Sequence, residues 1–200
     1  FDTETTGLLK PEEVDLKLQP EIIELYMVKL SLDDGEFKFI DEYDTFMHPS
    51  VMPIEPIITK ITGITTEMVM DAPTFISQYP VISEFMTGVD FLVAHNASFD
   101  VGMLENELIR IECNNKFPWP RFHHCTVEMS MPIEHHRLKL SDLHTKATGA
   151  PHTGAHRAKQ DTEALVTCYM WLMEQGYILL LEEYLLVEMD ILMLYNILLL

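Results

Sequence analysis

The sequence predicts an α/β fold, a mixed sheet with helices packed on its faces. Three observations predict it. Two β-branched and aromatic runs flank "DDGE", a hairpin signal. After residue 58, helical apolar spacing alternates with short buried strand segments. Hydrophobic residues make up 48% of the 200, enough for one sizeable core.

Taken in order, "FDTETTG" (1–7) reads as the end of a strand running into a glycine turn. Only Phe1 precedes its paired acids, so this strand is expected to be a central strand cut short, in a chain that is a fragment of something longer. The segment 9–20 is longer and more acidic than a minimal turn. Residues 21–32 and 36–48 read as hairpin partners. Residues 58–73 read as a short helix, a break at Gly63 and a second short helix starting near Thr65. A helix is expected over 80–89, a buried strand over 90–95 and a helix over 98–112. Residues 124–131 hold a strand and a turn of helix. Over 139–149 a helix is expected, with Ser141 as N-cap and Gly149 as its stop. Residues 150–157 form a loop, and a last helix runs from Ala158 to Glu174.

Residues 178–200 differ in composition and are expected to form a hydrophobic helical tail after a domain of residues 1–177. Glu182, Glu183, Glu188 and Asp190 interrupt the tail, and its acid-free end, 191–200, is too short to span a bilayer. It reads as a helix packed on the domain or as a docking helix for a partner protein; no membrane contact is expected. Cys113, Cys125 and Cys168 are odd in number and widely spaced, which fits a reducing, cytoplasmic setting better than a disulfide framework.

A net charge of −19 is far from the basic balance of most nucleic-acid binders. Bound cations and a local basic patch could still reverse the local potential. The acids therefore need individual attention. Asp2 and Glu4 project to one side of a strand with Cα atoms roughly 6.5–7 Å apart. Such a pair is either a solvated edge or a cation site, because close carboxylates repel unless one protonates or a cation intervenes. Asp100 lies on the apolar stripe of Val101, Leu104, Leu108 and Ile111. Asp161 shares its helix face with Ala164, Leu165, Cys168 and Leu172. Each is either an acid favoured by a helix N-terminus or a core-facing acid that needs a partner or a cation. His156 lies five residues before Asp161, about 140° away on one continuous helix. It can approach that acid only from the preceding loop. "HHC" (123–125) and "HH" (135–136) lack zinc spacing and read as ordinary surface or loop residues.

"FDTETTG", "ITGIT" (61–65), "LVAHNASFDVGML" (92–104) and "HRAKQD" (156–161) together resemble the DEDD superfamily of 3′→5′ exonucleases, in the histidine-bearing DEDDh (DnaQ-like) branch. The nearest likeness is the proofreading subunit or domain of bacterial and phage replicative DNA polymerases. The resemblance covers roughly residues 1–175 and not the tail.

It implies a ribonuclease H-like mixed sheet flanked by helices, and a metal-dependent enzyme that removes nucleoside 5′-monophosphates from 3′ ends. It also implies two Mg²⁺ (or Mn²⁺) ions, with Asp2 bridging both, Glu4 and Asp161 completing the first, Asp100 serving the second and His156 as general base. Thr5, Thr6 and Gly7 would hold the terminal 3′-OH, Gly63 and Ile64 would pack on the terminal base, and Asn96 would support the phosphate. Phe99 packs at a helix start or stacks on a base. The expected substrate is single-stranded or 3′-terminal DNA, in proofreading, with RNA as the alternative. The expected protein partner is a polymerase, met through 178–200. A catalytically silent polymerase-binding module is the rival from another class.

Overall fold

The computed structural model describes residues 1–10, 15–51 and 53–178. Two long strands, β2 (Ile22–Asp33) and β3 (Glu36–Phe46), pair antiparallel from Glu24↔Phe46 to Asp33↔Glu36. Asp34 and Gly35 make the two-residue turn between them with φ of 50° and 80°. A turn with both central residues at positive φ matches the twist of the flanking strands, and Asp-Gly suits it. β1 (Asp2–Thr5) pairs antiparallel with β2, setting Glu4 opposite Glu24.

β4 (Phe91–Ala94) and β5 (Phe122–Cys125) pair in parallel, with the Phe91 and Phe122 rings stacked 5.0 Å apart. The Phe1 nitrogen donates to the Val93 carbonyl at 2.9 Å, which ties the first sheet to the second beside β1. The described strands thus form two sheets, β3-β2-β1 and β4-β5, which meet at the β1 edge through Phe1.

Three short-to-medium helices follow β3: α1 (Pro56–Thr62), α2 (Thr66–Met70) and α3 (Phe75–Met86). α1 stops at Gly63, whose φ of 74° and N–H to Thr59 C=O bond form a left-handed cap. α3 starts five residues before the expected Pro80, with Thr74 as its N-cap. Phe75, Tyr79, Ile82 and Met86 all face the core at helical spacing, and that burial outweighs the hydrogen bond Pro80 cannot donate.

α4 (Ala97–Arg110) packs on β1, β2, β4 and β5 through fully buried Met103, Leu104 and Leu108. Arg110 at its end donates to the carbonyls of Leu16, Gln19 and Pro20 and pairs with Glu107 at 2.7 Å, pinning the described part of the long β1–β2 connection.

The expected single turn of helix after β5 is α5 (Thr126–Glu134), nine residues long. α6 (Leu140–Thr148) starts one residue after Lys139, so Ser141 lies inside the helix and does not cap it; Gly149 ends it at φ 75°, as expected. α7 (Ala158–Glu174) packs on β1, β2, α5 and α6. Its Cys168 and Leu172 share a second cluster with Leu143 and Ile178. All three cysteines are free.

Among the described residues, no helix is long and apolar enough to cross a membrane. Apart from buried Ile178, the expected tail lies outside the described residues.

Candidate active site

β1 carries Asp2, Thr3, Glu4 and Thr5 where the two sheets meet, with all but Asp2 buried. α4 delivers Asp100 to that strand. Asn96 takes a left-handed φ of 67° after β4 and so turns the chain into α4, whose first turn holds Asp100. Asp100 is 2% exposed. Its Oδ1 accepts from the Thr3 N–H at 3.0 Å and the Thr3 hydroxyl at 2.7 Å, which satisfies a carboxylate that the core would otherwise reject.

α7 delivers Asp161. The preceding loop bends through Gly154 (φ 81°) and His156 (φ 66°). A left-handed non-glycine residue is strained by about 1–3 kcal/mol and persists only where its surroundings hold it. Here the His156 N–H donates to Asp161 Oδ2 at 2.8 Å. His152 contacts the other oxygen, Nε2 to Oδ1, at 2.6 Å. Arg157, next along, fixes the start of α7 to the sheet. Its Nε and Nη2 grip Glu24 at 2.8–3.2 Å, and the Ala158 N–H adds a bond to Glu24 Oε2 at 3.0 Å. Glu24 is 2% exposed, so this two-pronged pairing offsets the desolvation of its charge.

The outcome is a convergence from three parts of the chain. One ligand atom each from Glu4, His156 and Asp161 lies within 4.8 Å of the other two, the grouping best placed for a cation among the described residues. Asp2 and Asp100 stand outside that grouping, in the same charged neighbourhood. Burial pushes the Glu4 carboxyl up to about 8, helped by the charges of Asp161, Glu24 and Asp100 and opposed by Arg157. Burial, with Asp100, Glu4 and Asp161 close by, drives Asp2 well above the usual carboxylate range. Burial also raises Asp100, against its bonds from Thr3. Acids so crowded fit a divalent cation: oxygen-rich donors suit Mg²⁺ or Mn²⁺, whose charge would reverse these shifts.

The expected substrate contacts scatter around this centre. The Thr5 hydroxyl donates to Gly7 C=O at 2.6 Å, and Thr6 exchanges bonds with Glu21, so the Thr5–Gly7 strip is held in place from within. Gly63 is exposed at its helix cap. Ile64 is fully buried among Ile23, Ile54 and Val69, so its side chain offers no surface to a base; here the expectation is corrected, because a β-branched residue after a helix stop seals a small core of its own. Asn96 Oδ1 accepts from Arg137 at 2.6 Å, and Phe99 is half-buried against the main core.

Four participants were not visible as such in the sequence: Glu24, Arg157, His152 and Arg137. Glu24 alone left a signal, as an acid interrupting the apolar run 22–28. The reading of "HHC" as surface residues is also corrected. His123 is exposed, but His124 is 3% exposed and its Nδ1 lies 2.7 Å from the Tyr169 hydroxyl of α7, with burial holding its ring pKa near 4.

Known proteins resemble this chain in sequence and in fold. The exonuclease family model (RNase T type) matches residues 1–169. Among curated proteins, the PolC-type DNA polymerase III of Bacillus subtilis is 35% identical over 185 residues, covering 86% of this chain and 11% of the polymerase. That of Clostridium perfringens is 34% identical over 171 residues, covering 82% and 10%. That of Caldanaerobacter subterraneus subsp. tengcongensis is 41% identical over 107 residues, covering 54% and 7%. The chain therefore spans about a tenth of the length of these relatives.

Two solved structures share the fold. Exonuclease X in complex with 5′-overhanging duplex DNA matches with TM-score 0.59 at 22% identity, over 89% of this chain and 92% of that one. A 3′-exonuclease described as recognising the histone mRNA stem-loop matches with TM-score 0.69 at 16% identity, over 88% and 62%. The mixed sheet flanked by helices is thus ribonuclease H-like, and by its match over residues 1–169 the chain belongs to the RNase T/DnaQ-like exonuclease family.

Proposed function

We propose that this chain is a two-metal 3′→5′ exonuclease that trims DNA 3′ ends to nucleoside 5′-monophosphates, in the service of proofreading. The observation that carries the proposal is the meeting of Glu4, His156 and Asp161 within 4.8 Å, with Asp2 and the buried acid Asp100 in the same charged neighbourhood. Asp2, Glu4, Asp100 and Asp161 would hold the cations through carboxylate oxygens. Two such ions, when bound, stabilise the entering and leaving oxygens of an in-line displacement.

The chain's own groups do the rest. His156, exposed on its loop, accepts a proton from the attacking water. Asp161 holds the backbone of that histidine, and Arg157 ties the loop to β2 through Glu24. The Thr5–Gly7 strip and Gly63 offer backbone to the terminal nucleotide. Asn96, with Arg137, offers polar groups to a phosphate, and Phe99 lies nearby as an aromatic face. Similarity to polymerases supports DNA as substrate, and the small share of those polymerases that the chain covers is consistent with an editing domain. A cytoplasmic setting, a polymerase partner and a domain boundary near residue 177 belong to the same reading.

RNA is the second reading, favoured by the likeness to the exonuclease described on an mRNA stem-loop. The test is to incubate the protein with single-stranded, 3′-recessed and mismatched DNA and with matched RNA, with Mg²⁺ and with chelator. Mg²⁺-dependent shortening of DNA from its 3′ end is expected. Faster shortening of RNA moves the substrate to RNA, and no shortening of either overturns the enzyme.

A further inference from the structure

The loop before α7 contributes two histidines in different states. His156 is exposed, whereas the side chain of His152 is 5% exposed and lies 2.6 Å from Asp161. Its Nε2 faces a carboxylate oxygen, so it must carry the proton of that bond and act as donor.

The same loop also reaches the other oxygen of Asp161, through the His156 N–H at 2.8 Å. One carboxylate is thus held at both ends by residues nine and five positions upstream. Each oxygen has two lone pairs, so each bond leaves a lone pair open.

His152 is itself backed. The ring of His144 from α6 lies 5.5 Å from it, and His144 Nδ1 and the Thr148 hydroxyl both contact Ala150 C=O at 3.2 Å. The Ala150 N–H donates to the Thr148 hydroxyl at 3.1 Å, completing the base of the loop.

We propose that His152 is a positioning residue of the cation site: by donating to Asp161 Oδ1 it fixes the carboxylate in the orientation that brings it to Glu4 and His156. The proposal rests on the metal-nuclease reading above. His152 is buried and occupied by Asp161, so its part is to aim the acid, while proton transfer falls to His156. Partners of this kind typically change metal affinity by about 10–100-fold when removed.

The test reads metal binding without turnover. Mn²⁺ is titrated into the full chain and free Mn²⁺ is followed by electron paramagnetic resonance. Three variants are compared with the parent: His152→Ala, His152→Phe, which keeps a buried ring without the donor, and His152→Gln, which restores an N–H donor. His152→Ala and His152→Phe are expected to bind Mn²⁺ about 10–100-fold more weakly, with faster amide exchange at His156, and His152→Gln to recover most of the affinity.

Parent-like affinity in His152→Phe overturns the proposal, as does tighter binding, which would mean that His152 competes with the cation. Equal weakening in all three variants also overturns it, since that points to packing and not to the donated bond. A parent protein that takes up no Mn²⁺ overturns the nuclease reading itself, an outcome distinct from these.

Discussion

Asp100 and Asp161 look alike in sequence, each in the first turn of a helix and each on its apolar side. The structure treats them differently. Asp100 is sealed in the core and takes both its bonds from one residue of β1, Thr3. Asp161 keeps 13% of its side chain exposed and takes its bonds from a loop with two left-handed residues. One acid is set by a paired strand and the other by a loop outside regular structure. The site therefore has a strand half, made of β1 and α4, and a loop half, made of the 150–157 loop and α7.

That contrast can be broken from either side, and the largest effect is expected on the strand half. Asp2→Ala should abolish Mg²⁺-dependent nucleotide release while the far-UV circular dichroism stays that of the parent; retained release would remove Asp2 from the site. On the loop half, His156→Ala should slow turnover by about 10²–10⁴-fold, measured under saturating substrate, and unchanged turnover would rule out its role as base.

A third change probes the tie between the halves. Arg157→Ala leaves Glu24 buried without its cation, which costs about 3 kcal/mol in urea unfolding, at the low end for such pairs because the guanidinium is partly exposed. Arg157→Lys should recover only part, since it cannot grip two oxygens.

The smallest expected effect is a pH trend. The Glu4 carboxyl, raised from an ordinary 4.5 to about 8 in the fold, keeps its proton in the native state over a range where the unfolded chain has lost it. Native protein then binds more protons than unfolded protein, so stability falls as pH rises from about 4.5 to about 8. Thermal melts in chelator should show that decline, and saturating Mg²⁺ should flatten it, because metal binding replaces the protons. A melt that rises over this range in chelator would mean that the acids are not crowded as described.

How much of this was legible in the sequence follows the same division. The strand position of Asp2 and Glu4, the helix positions of Asp100 and Asp161 and the loop position of His156 were readable from local pattern, while their joint role came only from the four motifs taken together. The β2–β3 hairpin was readable from its turn chemistry. What stayed hidden depends on partners far along the chain. Glu24 meets Arg157 across 133 residues, and His124 meets Tyr169 across 45. The role of His152 is set by the loop's path and not by its spacing from Asp161. Ile64 and the start of α3 were misjudged for a related reason: tertiary burial decided both, over local signals at Gly63 and Pro80.

The most direct test of the account is to crystallise the protein with Mn²⁺ and locate the ions by anomalous diffraction. Two peaks roughly 3.5–4 Å apart are predicted, one against Asp2, Glu4 and Asp161 and the other against Asp2 and Asp100. Ordered Mn²⁺ elsewhere in the protein, with no density among these four carboxylates, would contradict it.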